Sequence, residues 1–233
     1  MPTAIPYNKA SELFGLKEWL IFTEEECDEI KKYCLEKEKE LIASGSEHHD
    51  ENLTTAITTN NYFKFNFFQD HPKYAERFVK FLTETRCPLE WPIIAQSWIN
   101  VLRKDQGIHW HTHIGNMGQC YSANVFIDGP TKPGTSYLNV VDGGMKSQNI
   151  ENKRGYMHVF PSNIYHKVIP LKEDTERVSL GITVHGYNAI QNSKAIINGL
   201  AMNTKSPLSD SVILTNDYMS VSYTHLRAHE TDS

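Results

Sequence analysis

The residues best suited to chemistry sit in one short run. His109-Trp110-His111-Thr112-His113 carries three imidazoles at alternating positions. In an extended strand, residues two apart share a face. His109, His111 and His113 would then project together, with Trp110 and Thr112 opposite. Imidazole is a good ligand for iron, zinc or copper. Two ligands spaced i, i+2 on one strand close a facial set once a third arrives from a distant strand. The candidate is His166, which follows Phe160-Pro161-Ser162 and opens a further extended run. Ordinary hydrogen-bonded histidines of surface or core are the alternative.

Eleven residues beyond His166 stands Arg177, then Ser179. Val178, Leu180, Ile182 and Val184 take one face of that run. Arg177, Ser179, Gly181 and Thr183 take the other. A guanidinium on a small, hydroxylic face is costly to bury without an anionic partner. With a hydroxyl beside it, it suits a carboxylate held in bidentate fashion. The competing expectation is an exposed strand with an ion pair to Glu173 or Asp174.

The elements that must position these groups read as α+β. Thr23 and Glu26 form a capping-box pattern. Cys27, Ile30, Cys34, Leu41 and Ile42 then recur near helical spacing. A second helix starts at Pro72, a favoured first-turn residue, and runs through Tyr74, Phe78, Val79 and Leu82 to about Arg86. From about Ile93 the texture changes to period-two alternation broken by Gly, Pro, Asn and Asp. Strands are expected over 97–103, 108–113, 121–128, 136–141, 156–160, 166–170 and 177–187. Turns are expected at 129–133 and 142–144. Short strands with regular turns suggest a sandwich or jelly roll, with the helices packed outside it. The organisation expected is a helical support region over 1–92, a β core over 93–190 and an extension over 191–233. A short helical piece is expected over 193–197. The last twelve or so residues are polar and unpatterned, resemble translated adapter sequence, and are expected to be disordered or artefactual. His225 and His229 therefore receive no functional weight.

Composition narrows the function classes. The chain has 233 residues, a charged fraction of 22% and a net charge of -5 with histidines neutral. No Lys/Arg stripe appears, which argues against a nucleic-acid partner. No run approaches the roughly 18 apolar residues that span a bilayer, and residues 1–22 lack a signal-peptide pattern. Cys27, Cys34, Cys87 and Cys120 form no CxxC pair, so reduced thiols and a cytoplasmic location are expected.

Taken together, the ordered set Ser97-Trp98-Ile99-Asn100-Val101, His111-Thr112-His113, Phe160-Pro161-Ser162, His166 and Arg177-Val178-Ser179 resembles the 2-oxoglutarate and iron(II)-dependent oxygenase superfamily. More narrowly, it resembles members from marine bacteria and their phages. The resemblance covers about residues 97–187. It implies a double-stranded β-helix (jelly roll) with N-terminal flanking helices. It implies Fe(II), 2-oxoglutarate as cosubstrate, and O2. The reaction implied is hydroxylation of a small-molecule or peptidyl substrate, with release of succinate and CO2.

The superfamily pattern is HxD/E, a distal His, then Arg-x-Ser or Arg-x-Thr. Here His113 occupies the usual carboxylate position, and no Asp or Glu lies between Gly107 and Tyr121. Either His113 is a third histidine ligand, or water or substrate takes that place, or the pair shifts to His109 and His111. The set His111, His113 and His166 is favoured, with His109 as the alternate. By resemblance, Arg177 and Ser179 would hold the cosubstrate's distal carboxylate, with Asn100 and Tyr121 near the cosubstrate. Trp98, Asn124 and Asn139 would line the substrate pocket. His158 and His185 are expected to be non-ligands. The polar stretch 43–66 and a loop over 142–155 are candidates to close over substrate. Two rivals stay open: a cupin-type three-histidine enzyme without 2-oxoglutarate, and a non-enzymatic zinc-binding jelly-roll module.

Overall fold

The computed structural model describes residues 13–43, 66–85, 93–113, 120–141, 143–186, 212–214 and 220–222. The chain divides into two units. The first joins residues 1–60, 99–113 and 122–181; the second joins 61–98, 114–121 and 182–233.

The first unit begins with strand β1 (Lys17–Leu20) and helix α1 (Glu24–Ala43). The capping box forms as the sequence expects. Thr23 N–H donates to Glu26 Oε2 at 3.0 Å, and Glu26 N–H donates to Thr23 Oγ1 at 3.2 Å. Glu24, Glu25 and Glu26 fill the first turn, where the helix dipole favours acids. Cys27, Ile30 and Cys34 are buried, whereas Ile42 is exposed. One turn beyond Cys34 the buried position belongs to Glu38, whose carboxylate receives Arg103 Nη1 and Nη2 at 2.9 and 2.7 Å.

The strands follow: β2 (Ile93–Leu102), β3 (Ile108–His111), β4 (Cys120–Asp128), β5 (Thr135–Val141), β6 (Gly144–Ile150), β7 (Tyr156–Pro161), β8 (Tyr165–Val168) and β9 (Arg177–Gly186). All seven expected strands are present, most with shifted ends, and β1 and β6 are additional. β1 lies in the N-terminal region expected to be helical. β6 occupies half of the expected 142–155 loop. Its residues are largely polar and exposed, so no apolar alternation marks it. It forms because β5 offers a partner over its full length, from Thr135↔Ile150 to Val141↔Gly144.

A smaller sheet lies wholly in the first unit, in the order β3-β8-β5-β6. Its neighbouring strands pair antiparallel. Within this unit the larger sheet runs β1-β7-β4-β9-β2. Phe14, Leu16, Tyr137, Phe160 and Ile164 form one core cluster, with Leu13 and Ile150 packed on it. Two of its members, Tyr137 and Phe160, pack against His166.

In the second unit, Asn66 caps the short helix α2 (Phe67–Asp70), its Oδ1 accepting from Phe68 N–H at 3.0 Å. Helix α3 (Pro72–Glu84) has proline in its first turn and buries Tyr74, Phe78, Val79, Phe81 and Leu82. Here β2 pairs antiparallel through Ile93–Ala95 with β10 (Val212–Leu214), and β10 pairs antiparallel with β11 (Ser220–Ser222). No described helix is long and apolar enough to cross a membrane. Residues 44–65 and 187–211, which include the 193–197 helical expectation, lie outside the described residues, as does the tail beyond Ser222.

Candidate metal centre and anion pocket

β3 and β8 pair so that His111 stands directly opposite His166. His113 lies two residues past the end of β3. Its backbone N–H donates to Ser162 O at 3.0 Å, beside the turn that leads into β8. One ligand-capable atom from each of His111, His113 and His166 lies within 4.8 Å of the others. The ring centroids are 4.1 Å apart for His111–His166, 5.0 Å for His111–His113 and 5.1 Å for His113–His166. Phe160 packs edge-on against His166 at 4.8 Å.

The rings are prepared as ligands. His111 Nδ1 lies 2.9 Å from His109 O, and His166 Nδ1 lies 3.2 Å from Ile164 O. A carbonyl only accepts, so both Nδ1 atoms carry the proton and Nε2 keeps the free lone pair. Burial holds the His166 imidazole well below its ordinary pKa, and positive charge on His111 or His113 would push it lower still. Burial also lowers His111, against the opposing pull of backbone at His109 and His166. Neutral imidazoles are what a metal requires. The donor set therefore fits a divalent transition ion.

His109 does not join them. It is exposed, because the register shifts between Ile108 and His111. That irregularity breaks the alternation that would have placed three histidines on one face, and His109 is absent from the group.

Arg177 opens β9 and is 1% exposed. Its Nη1 donates to Pro133 O at 3.1 Å, and its Nη2 to Thr135 Oγ1 at 3.3 Å. Its Nε has no partner among the described residues. The ion pair to Glu173 or Asp174 is not among its contacts, and Glu176 faces Arg103 instead, at 3.5 Å. Burial lowers the guanidinium to about 10, a shift that Tyr137 opposes. A buried cation with no counter-ion among the described residues is the observation that fits an anionic ligand here. Ser179 is buried two residues further along β9.

Tyr137 links the histidines to the arginine. In the β5–β8 register it stands opposite His166, and Thr135 stands opposite Val168. Its ring stacks over His166 at 6.5 Å between centroids. Its hydroxyl lies 2.9 Å from His158 Nδ1, and His158 Nε2 lies 3.7 Å from Glu18 Oε1. His158 is thus held behind Tyr137, outside the histidine group. Thr135 and Tyr137 share a face two residues apart, about 7 Å along the strand. No sequence pattern singles out Thr135 or Tyr137. Their importance comes from cross-strand register, which alternation within β5 does not encode.

The remaining candidates are dispersed. Asn124 donates to Thr135 Oγ1 at 3.1 Å and so belongs to the Arg177 cluster. Asn139 donates to Leu13 O at 2.7 Å and accepts from Val140 N–H at 2.9 Å, which ties it to the N-terminal segment. Asn100 is buried in β2. Trp98 and Tyr121 belong to the second unit; Trp98 is buried and Tyr121 half-buried. The side chain of His185 lies outside the described residues.

No family model matches this sequence, and no curated protein matches it. Solved structures do match. A prolyl-4-hydroxylase from Pseudomonas putida aligns over 76% of this chain and 95% of its own, with a TM-score of 0.52 and 14% identity. The α-ketoglutarate-dependent non-haem epimerase SnoN of nogalamycin biosynthesis aligns over 76% and 78%, with a TM-score of 0.54 and 13% identity. HygX from Streptomyces hygroscopicus, solved with nickel and 2-oxoglutarate, aligns over 78% and 88%, with a TM-score of 0.50 and 10% identity. At these identities the likeness is one of fold. It is a fold that 2-oxoglutarate-dependent non-haem enzymes share.

Proposed function

We propose that this chain is a non-haem Fe(II) and 2-oxoglutarate-dependent oxygenase that hydroxylates a small-molecule or peptidyl substrate, releasing succinate and CO2. One observation carries the reading. The histidine trio and a guanidinium with no counter-ion among the described residues are joined through adjacent same-face residues of one strand, Tyr137 and Thr135. The fold likeness supports it, and supports taking the two sheets as a double-stranded β-helix. The narrower resemblance to marine bacterial and phage members rests on sequence motifs alone.

His111, His113 and His166 would hold the metal. The bound metal would supply dioxygen activation coupled to oxidative decarboxylation of the cosubstrate. The protein's own residues do the rest. Backbone carbonyls at His109 and Ile164 fix the ligand tautomers. Arg177 orients the cosubstrate by its far carboxylate, with Ser179 beside it. Phe160 and the Tyr137 ring pack apolar surface against His166 and keep water from that side. Asn100, Tyr121, Trp98 and Asn139 remain candidates for cosubstrate or substrate contact.

A cupin-type three-histidine enzyme is the second reading, favoured by the all-imidazole donor set. It leaves the buried charge of Arg177 without a purpose. Anaerobic titration of the wild type and of Arg177→Ala with Fe(II) and 2-oxoglutarate separates the two. A visible charge-transfer band in the wild type, lost in the variant while iron still binds, supports the oxygenase. A wild type that binds metal and ignores 2-oxoglutarate supports the cupin-type reading, or the zinc-binding module if it takes up zinc alone.

A further inference from the structure

Thr135 is the hub of a buried polar cluster with two loose ends. A hydroxyl has one proton to give and two lone pairs. Thr135 Oγ1 donates to Asn152 Oδ1 at 3.0 Å. It accepts from Asn124 Nδ2 at 3.1 Å and from Arg177 Nη2 at 3.3 Å. With the Asn152 carboxamide presenting its oxygen to Thr135, Asn152 Nδ2 faces away and has no acceptor among the described residues. Arg177 Nε has none either. Both residues are 1% exposed.

The loose ends are both donors. Buried donors left unmatched are destabilising, and native proteins satisfy most of them. The group that would satisfy these two brings acceptor oxygens and negative charge. The segment carrying Asn152 is itself held in place, since Asn152 N–H donates to Thr131 O at 3.2 Å.

We infer that Asn152 is a specificity-determining residue, reading the far carboxylate of a dicarboxylic cosubstrate together with Arg177. The inference rests on the 2-oxoglutarate reading and extends it. A carboxylate offers several acceptor positions and no donor, so it can take both N–H groups. An amide end would set its own N–H bonds against them. A methyl end would leave both unmet. Because asparagine is neutral, it donates without cancelling the Arg177 charge. Aspartate at the same place would keep the bond from Thr135, give Arg177 an internal counter-ion and exclude an incoming anion.

The test is binding without turnover. The wild type, Asn152→Asp and Asn152→Ala, each loaded with nickel, are titrated calorimetrically with 2-oxoglutarate, 2-oxoglutaramate and 2-oxobutyrate. Metal content and melting are followed alongside. Wild type is expected to bind 2-oxoglutarate at least tenfold more tightly than the other two acids. Asn152→Ala is expected to weaken 2-oxoglutarate by about tenfold and Asn152→Asp by about a hundredfold, both with nickel retained and Asn152→Asp melting no lower than wild type. Variants that retain nickel and bind 2-oxoglutarate like the wild type overturn the inference and leave the cosubstrate reading intact. A wild type that binds nickel but not 2-oxoglutarate overturns both. If those variants do not fold, Asn152→Ser decides in their place: 2-oxoglutarate bound within about threefold of the wild type overturns the inference, and any larger loss with nickel retained supports it.

Discussion

His111 and His166 face one another as register partners across β3 and β8, their rings 4.1 Å apart. Cross-strand partners are the closest side-chain neighbours a sheet provides. Two residues 55 positions apart in sequence are thus held together by backbone pairing, before any ion arrives. Each ring should then contribute strongly to metal affinity. His111→Ala and His166→Ala are each expected to weaken Fe(II) or Zn(II) binding by more than about a hundredfold, since even the outer partners of metal ligands matter tenfold to a hundredfold. His109→Ala should leave affinity within about threefold. Equilibrium dialysis under anaerobic conditions measures all three. Stoichiometric metal in His166→Ala would rule out this centre.

Gly129 bears on Arg177 in a similarly direct way. It has a φ of +114°, where side chains are strained. A Cβ there would run into Glu176 O and the Arg177 Cα. Gly129→Ala must therefore displace the start of β9, the residue that carries the guanidinium. We expect a stability loss of about 1–3 kcal/mol and weaker 2-oxoglutarate binding, with metal affinity within about threefold of wild type. Denaturant melts and paired titrations check both halves. Unchanged cosubstrate binding would mean that the arginine is not the anchor.

Much of this was legible in the sequence, and the boundary has physical causes. The histidine and arginine candidates announce themselves by residue type, because charge and imidazole are costly to bury without purpose. The α1 cap and the main strands follow local rules. What is lost is anything set by pairing. The irregularity between Ile108 and His111 moves His109 out of the group, and nothing in five alternating residues signals it. β6 is polar and exists because β5 is its neighbour. Tyr137, Thr135 and Asn152 become site residues only when β5 lies beside β8 and the segment after β6 returns to Thr135.

Tyr137 offers a cleaner stability test. Its hydroxyl is buried against His158 Nδ1 at 2.9 Å. Tyr137→Phe keeps the ring that packs on Phe14, Phe160 and His166 and deletes the hydroxyl alone. It takes that partner away from a buried imidazole nitrogen. The expected cost is about 1–3 kcal/mol, read as a lower denaturant midpoint at unchanged m-value. Metal affinity should stay within a few-fold. A midpoint equal to the wild type would show that the hydrogen bond contributes nothing net.

Acid should destabilise the metal-free protein through the same histidines. Burial is the leading cause that lowers His166, and it lowers His111 too. In the unfolded chain both take up a proton near pH 6.5. In the folded chain they stay neutral to lower pH. Above about pH 6.5 neither state is protonated at these positions, so they add no pH dependence. As pH falls below it, the unfolded state binds protons that the folded state refuses, and the balance shifts toward unfolding. Each group can steepen the loss by at most about 1.4 kcal/mol per pH unit. Melting temperatures in chelator should therefore hold steady from pH 8 to 7 and fall from 6.5 to 5.5. His166→Gln should flatten that fall, having no proton to gain in either state. Saturating Zn(II) should protect at pH 7.5 and lose its protection as the pH drops, because protons and metal compete for the same lone pairs. Parallel melting curves for wild type and His166→Gln across this window would show that His166 titrates alike in both states and is not held neutral by the fold.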